Sequence, residues 1–122
     1  LDNLIAIIDH TRLQQYGWPG DGPDGRVPPQ VPGELAAKWS AFGWRVLEAD
    51  GHNVTAIVNV LEEATRGDGR PVVVIAHTVK GKGVSFMEGH YFWHTRAIKP
   101  EEFERAMAEL GEPVRDAEGG PR

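Results

Sequence analysis

The hydrophobic pattern changes period several times along the chain, and each change predicts an element. Leu4-Ile5-Ala6-Ile7-Ile8 is an unbroken, branched apolar run followed by Asp9-His10-Thr11-Arg12, which predicts a strand buried on both faces. Gln14 to Gly33 is so dense in glycine and proline that it reads as one long surface loop, of a length expected to be either functional or mobile. Leu35, Trp39 and Phe42 then recur at helical spacing, with Gly43 as the stop. Trp44 to Ala49 predicts a second strand, and Asp50-Gly51-His52-Asn53 a turn in which Asn53 caps the next helix. That helix, Val54 to Thr65, carries Ile57, Val58, Leu61 and Ala64 on its apolar face. Pro71 to His77 predicts a third buried strand, and Pro100 opens a last helix that runs to about Leu110. Alternation of strand and helix predicts a parallel sheet with right-handed crossovers.

In a parallel α/β sheet, functional groups gather where the strands end. Here those ends are Asp9-His10-Thr11, Asp50-Gly51-His52-Asn53, and His77-Thr78 with the glycine-lysine phrase beyond it. Lys80 and Lys82 alternate with Gly81 and Gly83, so backbone can approach an anion closely while an ammonium supplies charge; a solvated turn is the structural alternative. Asp9 and His10 are neighbours on a strand and point to opposite sides, so they are given no shared chemistry. His90 and His94 have the spacing of a helical metal pair, but Gly89 and Tyr91-Phe92-Trp93 do not form the polar helix face that zinc ligation needs. Trp39, Phe42, Trp44 and Phe103 are read as core or interface.

Composition narrows the class. The 122 residues suffice for one domain or part of one, with 40% hydrophobic and 25% charged residues as in ordinary soluble proteins. A net charge of -5 argues against nucleic acid as a partner, because phosphate neutralisation needs a basic surface. The absence of cysteine removes disulfides, thiolate metal sites and a cysteine nucleophile, and fits a cytoplasmic protein. No apolar run approaches the roughly 20 residues of a membrane span. The chain opens at Leu1 with a strand only three residues away, so an N-terminal segment is expected to precede it.

Four phrases, in order, carry a resemblance. They are Leu1-Asp2-Asn3-Leu4-Ile5-Ala6-Ile7-Ile8-Asp9 with Leu13-Gln14; Ala41-Phe42-Gly43-Trp44 with Asp50-Gly51-His52; Thr78-Val79-Lys80-Gly81-Lys82-Gly83-Val84-Ser85-Phe86-Met87-Glu88; and Trp93-His94. Together they resemble the transketolase family, in particular the N-terminal, diphosphate-binding subunit of split transketolases. Deoxyxylulose-phosphate synthases share the glycine-lysine phrase, so the full set makes the distinction. The resemblance implies a partial three-layer, parallel-sheet thiamine-diphosphate-binding fold. Residues 1–113 would be the C-terminal part of the diphosphate-binding domain, and residues 114–122 a flexible tail.

The resemblance also implies a site. In the family a Gly-Asp-Gly…Asn motif holds Mg²⁺ or Ca²⁺, and the cation in turn binds the cofactor diphosphate. Thr11 stands at the Asn position, offering a hydroxyl in place of an amide oxygen, and the Leu13 carbonyl stands as a further metal and cofactor contact. The Gly-Asp-Gly is expected in the preceding segment; Gly20-Asp21-Gly22 has about the right spacing to Asn53 but lies inside a proline-rich loop, away from any strand end. His94 is implied as the catalytic and cofactor-binding residue, with Lys82 as a second cofactor contact. His52-Asn53 replaces the family's usual His-Asp and is read as a helix-capping turn.

The implied activity is thiamine-diphosphate-dependent transfer of a two-carbon ketol unit from a ketose to an aldose acceptor, with sugar phosphates as substrates. A pyrimidine-binding C-terminal subunit would complete the site in a heterotetramer. Rival readings are a specialised carboligase with another acceptor, a non-catalytic scaffold or regulator, and a free-standing binding module, the last disfavoured because three parallel strands rarely close a core unaided.

Overall fold

The computed structural model describes residues 1–13 and 34–111. The long loop, the Gly20-Asp21-Gly22 triplet within it, and the expected C-terminal tail lie outside the described residues. The described chain forms strand β1 (Ile5–His10), helix α1 (Glu34–Ala41), strand β2 (Arg45–Asp50), helix α2 (Val54–Ala64), strand β3 (Val72–His77), a 3₁₀ turn (Tyr91–His94) and helix α3 (Pro100–Glu109). Every expected strand and helix is present, and the fold is the expected parallel α/β type. These residues divide into two compact units, one of residues 1–12 and 34–78, the other of Leu13 with residues 79–111.

In the first unit the sheet order is β1-β3-β2, all parallel, with Ile5 and Arg45 both in register with Val72 and His10 and Asp50 both in register with His77. The most apolar strand is therefore central. Val72, Val73, Val74, Ile75 and Ala76 are all buried. α2 lies on the face carrying Val72, Val74, Leu47 and Ala49, and contributes Val60 and Ala64 to that core. Its buried line thus runs through Val60, while Val58, expected on the apolar face, is exposed. Val58 is two residues from Val60, and a helix turns about 200° over two residues.

β1 differs from expectation. Its residues alternate between exposed and half-buried, and Ile7 is 61% exposed. A continuous apolar run does not distinguish a central strand from an edge strand, and β1 is an edge strand flanked only by β3 in the described sheet. Phe42 also departs from the reading: α1 ends at Ala41, one residue before it, and Phe42 is 84% exposed. The N–H groups of Gly43 and Trp44 turn back to the carbonyls of Ser40 and Trp39, closing the helix. Trp39 and Trp44 meet edge to face, with ring centroids 4.9 Å apart.

Polar residues close the element ends. Asn53 Oδ1 accepts from the Ala56 N–H at 3.0 Å, the N-cap read from the sequence. At the other end of α2, Arg45 reaches from β2 to donate to the Arg66 carbonyl at 2.9 Å and to pair with Glu63 at 2.6 Å, placing a cation beside the helix's free carbonyls.

In the second unit α3 begins with Pro100, and Glu102 Oε2 accepts from the Lys99 N–H at 3.0 Å. Phe103, expected in a core or interface, is 42% exposed among the described residues. Among the described residues no helix is long and apolar enough to cross a membrane.

Candidate functional site

Within the first unit, the carboxyl edge of the sheet collects the polar groups that the element order brings there. The Thr78 hydroxyl donates to Asp9, joining the ends of β3 and β1. Gly51 N–H donates to the His77 carbonyl at 2.8 Å, and the Asp50 carboxylate accepts from the His52 N–H at 2.9 Å. A Cβ on Gly51 would collide with Thr78 Cγ2 and stand 3.1 Å from the His77 carbonyl oxygen. The Asp-Gly-His phrase is therefore a close backbone crossing over the end of β3.

His10 and His77, paired in register across β1 and β3, bring their rings to 5.3 Å between centroids at 54°. His77 Nε2 lies 2.7 Å from Glu48 Oε2. A carboxylate only accepts, so this nitrogen carries the proton. Among the described residues, His77 Nδ1 and both ring nitrogens of His10 are buried without a hydrogen-bond partner. The sequence reading missed this pair: only the register of the sheet aligns residues so distant in the chain.

Thr11, the expected metal ligand, is half-buried just past β1. The chain then passes through Arg12, whose φ of 58° lies in the left-handed region. Leu13 follows and is counted with the second unit. Among the described residues no group of three or more His, Asp or Glu side chains is arranged to hold a metal ion. A divalent cation of this class takes six or more oxygen ligands. The hydroxyl and carbonyl that the resemblance assigns would be a minority of them, so the residues present do not by themselves fit a cation.

In the second unit the glycine-lysine phrase folds back on its own chain. Gly81 has φ of +73°, and a Cβ there would stand 2.7 Å from both Cβ and the carbonyl oxygen of Met87, so only glycine fits. Lys82 Nζ lies 3.4 Å from Glu88 Oε1, and the same oxygen accepts from the Gly83 N–H at 3.0 Å. The cation and backbone donor expected to meet an anion thus already hold a carboxylate of their own chain. Val84 is buried, anchoring the turn.

His94 closes the 3₁₀ turn and is exposed, an imidazole presented to solvent at the end of a hydrogen-bonded support. The Trp93 indole N–H donates to the Phe86 carbonyl at 3.1 Å, and the Phe86 and Trp93 rings meet at 5.5 Å and 63°. Ser85, beside Phe86, donates through both N–H and hydroxyl to Glu109 of α3. The Ser85 N–H, followed by its hydroxyl and by Arg105, holds the Glu109 carboxyl below the usual carboxylate range. Sequence reasoning singled out His94 and Lys82 but none of Phe86, Glu88, Arg105 or Glu109. Helical spacing of Arg105 and Glu109 marks a surface ion pair, and nothing local shows that it reaches Ser85. His90, set aside as a zinc ligand, packs its ring against Phe92 at 5.2 Å.

A parallel sheet with polar groups at its carboxyl edge places the first unit in the α/β class, in which ligands bind at the strand ends. Residues 1–116 match the family described as transketolase, thiamine diphosphate binding domain, and the chain belongs to the transketolase family. It is 41% identical over 110 residues to the 6-deoxy-6-sulfo-D-fructose transketolase subunit SqwG of Clostridium sp. (strain MSTE9), covering 90% of this chain and 38% of that protein. It is 36% identical over 118 residues to one subunit of the apulose-4-phosphate transketolase of Phocaeicola vulgatus, covering 97% of this chain and 40% of that one. The chain thus spans well under half the length of these relatives. Among solved structures, the transketolase of Campylobacter jejuni superposes with a TM-score of 0.74 at 26% identity, over 91% of this chain and 16% of that one.

Proposed function

We propose that this chain forms part of a split, thiamine-diphosphate-dependent transketolase that moves a two-carbon ketol unit from a ketose to an aldose acceptor, with a partner subunit completing the site. The observation that carries the reading is the family match over residues 1–116, supported by two relatives that are themselves named as subunits. The sugars in their names, a sulfo-fructose and apulose-4-phosphate, differ, so the proposal specifies a sugar or sugar phosphate and leaves its identity to product analysis.

When bound, thiamine diphosphate supplies a nucleophilic carbon and an electron sink. In this proposal His94 does the protein's share near the reacting groups: its ring N–H donates to a diphosphate oxygen or a sugar hydroxyl, and its ring nitrogen accepts a proton in turn. Lys82 contributes positive charge beside the diphosphate, tempered by its pairing with Glu88 at 3.4 Å. The hydroxyl of Thr11 and the carbonyl of Leu13 are assigned to Mg²⁺ or Ca²⁺, and the remaining oxygen ligands are assigned to a Gly-Asp-Gly segment outside this sequence, not to Gly20-Asp21-Gly22. The assembly is proposed as a cytoplasmic heterotetramer with a pyrimidine-binding subunit.

Thr11 specifically favours a second reading, a subunit retained as scaffold, because a neutral hydroxyl is a weaker cation ligand than the amide oxygen the family uses. One experiment separates the two. Thiamine diphosphate and Mg²⁺ are titrated by calorimetry into the complete gene product mixed with its partner subunit, and ketol transfer is followed by product analysis. Binding with transfer is expected, and Thr11→Asn should tighten metal-dependent cofactor binding. No binding by either form would overturn the enzymatic reading in favour of the scaffold.

A further inference from the structure

His94 is exposed and ends a short turn, so its position depends on what fixes the residue before it. Trp93 is held from two sides, and both holds originate in α3. On one side the Glu109 carboxylate accepts from the Ser85 N–H and hydroxyl, while Arg105 donates to both Glu109 and Ser85 at 2.9 Å and sets its guanidinium 4.8 Å from the Phe86 ring centroid. Phe86 then meets Trp93 twice, ring against ring at 5.5 Å and carbonyl to indole N–H at 3.1 Å. On the other side Glu102 pairs with Arg96, whose guanidinium lies 4.4 Å from the Trp93 ring centroid. An indole gripped edge-on by a carbonyl and face-on by a cation has little freedom to tilt.

We propose that Trp93 is a positioning residue: clamped between Phe86 and Arg96, which α3 holds through Glu109, Arg105 and Glu102, it fixes the height and direction of the His94 imidazole. This role rests on the reading of His94 as the group that meets cofactor and sugar. A misplacement of about 1 Å in such a group costs up to about 100-fold in rate, and Trp93 is the lever through which α3, a helix with no other assigned role, acts on that position.

The test is a double-mutant cycle on the complete gene product with its partner subunit, joined to a readout that needs no turnover. Trp93→Phe keeps an aromatic face for Arg96 and loses the N–H to the Phe86 carbonyl. It should lower kcat about 10- to 100-fold with KM for the donor sugar nearly unchanged. In a His94→Ala background the same change should cost almost nothing more, because Trp93 acts through the imidazole. Glu102→Gln keeps an acceptor for the Lys99 N–H, weakens the hold on Arg96, and should give a milder loss of the same kind. By NMR, Trp93→Phe should shift the ring resonances of His94 while those of His52 stay in place. Equal losses with and without His94, or unmoved His94 resonances, would overturn the proposal. If His94→Ala turns over at the wild-type rate, the functional reading of His94 fails, and the NMR comparison still decides whether Trp93 sets the position of the ring.

Discussion

Gly51 shows how one residue type can be dictated by a neighbour far along the chain. Its missing side chain leaves room for Thr78 and the His77 carbonyl, so Gly51→Ala drives a methyl into Thr78 Cγ2. Overpacking of this kind costs about 1–3 kcal/mol, and a chemical-denaturation curve should show the midpoint lowered with an unchanged slope. The sequence marks Gly51 only as a turn glycine; the reason for it appears when β2 and β3 are brought side by side. Gly81 is similar. In the sequence, its alternation with lysine suggests close approach to an anion, whereas in the fold the close approach is to Met87. His10 and His77 are legible as strand-end polar residues, but their ring contact is a property of register, which no local pattern contains.

At the scale of elements the sequence is more informative, because caps and periodicity are local. Asn53 reads as an N-cap from its place before an amphipathic run, and its side chain accepts the Ala56 N–H. Asn53→Ala should destabilise the protein by about 1 kcal/mol, measured by thermal or denaturant unfolding, and Asn53→Asp should restore most of it. What periodicity misplaces is the angle of a face. It puts Val58 on the covered side and leaves Val60 unmarked, because several apolar residues crowded into a short helix leave the direction of the core undecided. The same limit explains β1: Leu4 to Ile8 and Val72 to Ala76 are equally apolar as text, and only the sheet order makes one an edge and the other the centre. Ile75→Ala should therefore cost about 2–5 kcal/mol, whereas Ile7→Ala, at a position 61% exposed, should cost far less. Comparable losses by denaturant unfolding would contradict the assignment of edge and centre.

For the molecule as a whole, class and family are legible because several phrases have to agree in order, each weak alone. The candidate site is legible only in part. His94 and Lys82 fall in one unit with the supports that hold them, yet those supports, Phe86, Glu88, Arg105 and Glu109, are joined by contacts that sequence spacing does not show. The chain covers 38% and 40% of two relatives that are themselves named as subunits.

The sheet order carries a consequence for biosynthesis. β3 stands between β1 and β2 but is the last of the three to leave the ribosome, and neither earlier strand has a partner in the described sheet until Val72–His77 arrives. The pairing of Ile5 with Val72 closes a long loop, so this sheet belongs to the slow, non-local class of folding events. During that interval β1 and β2 wait with open edges, which makes them the segments of the nascent chain most exposed to non-native pairing.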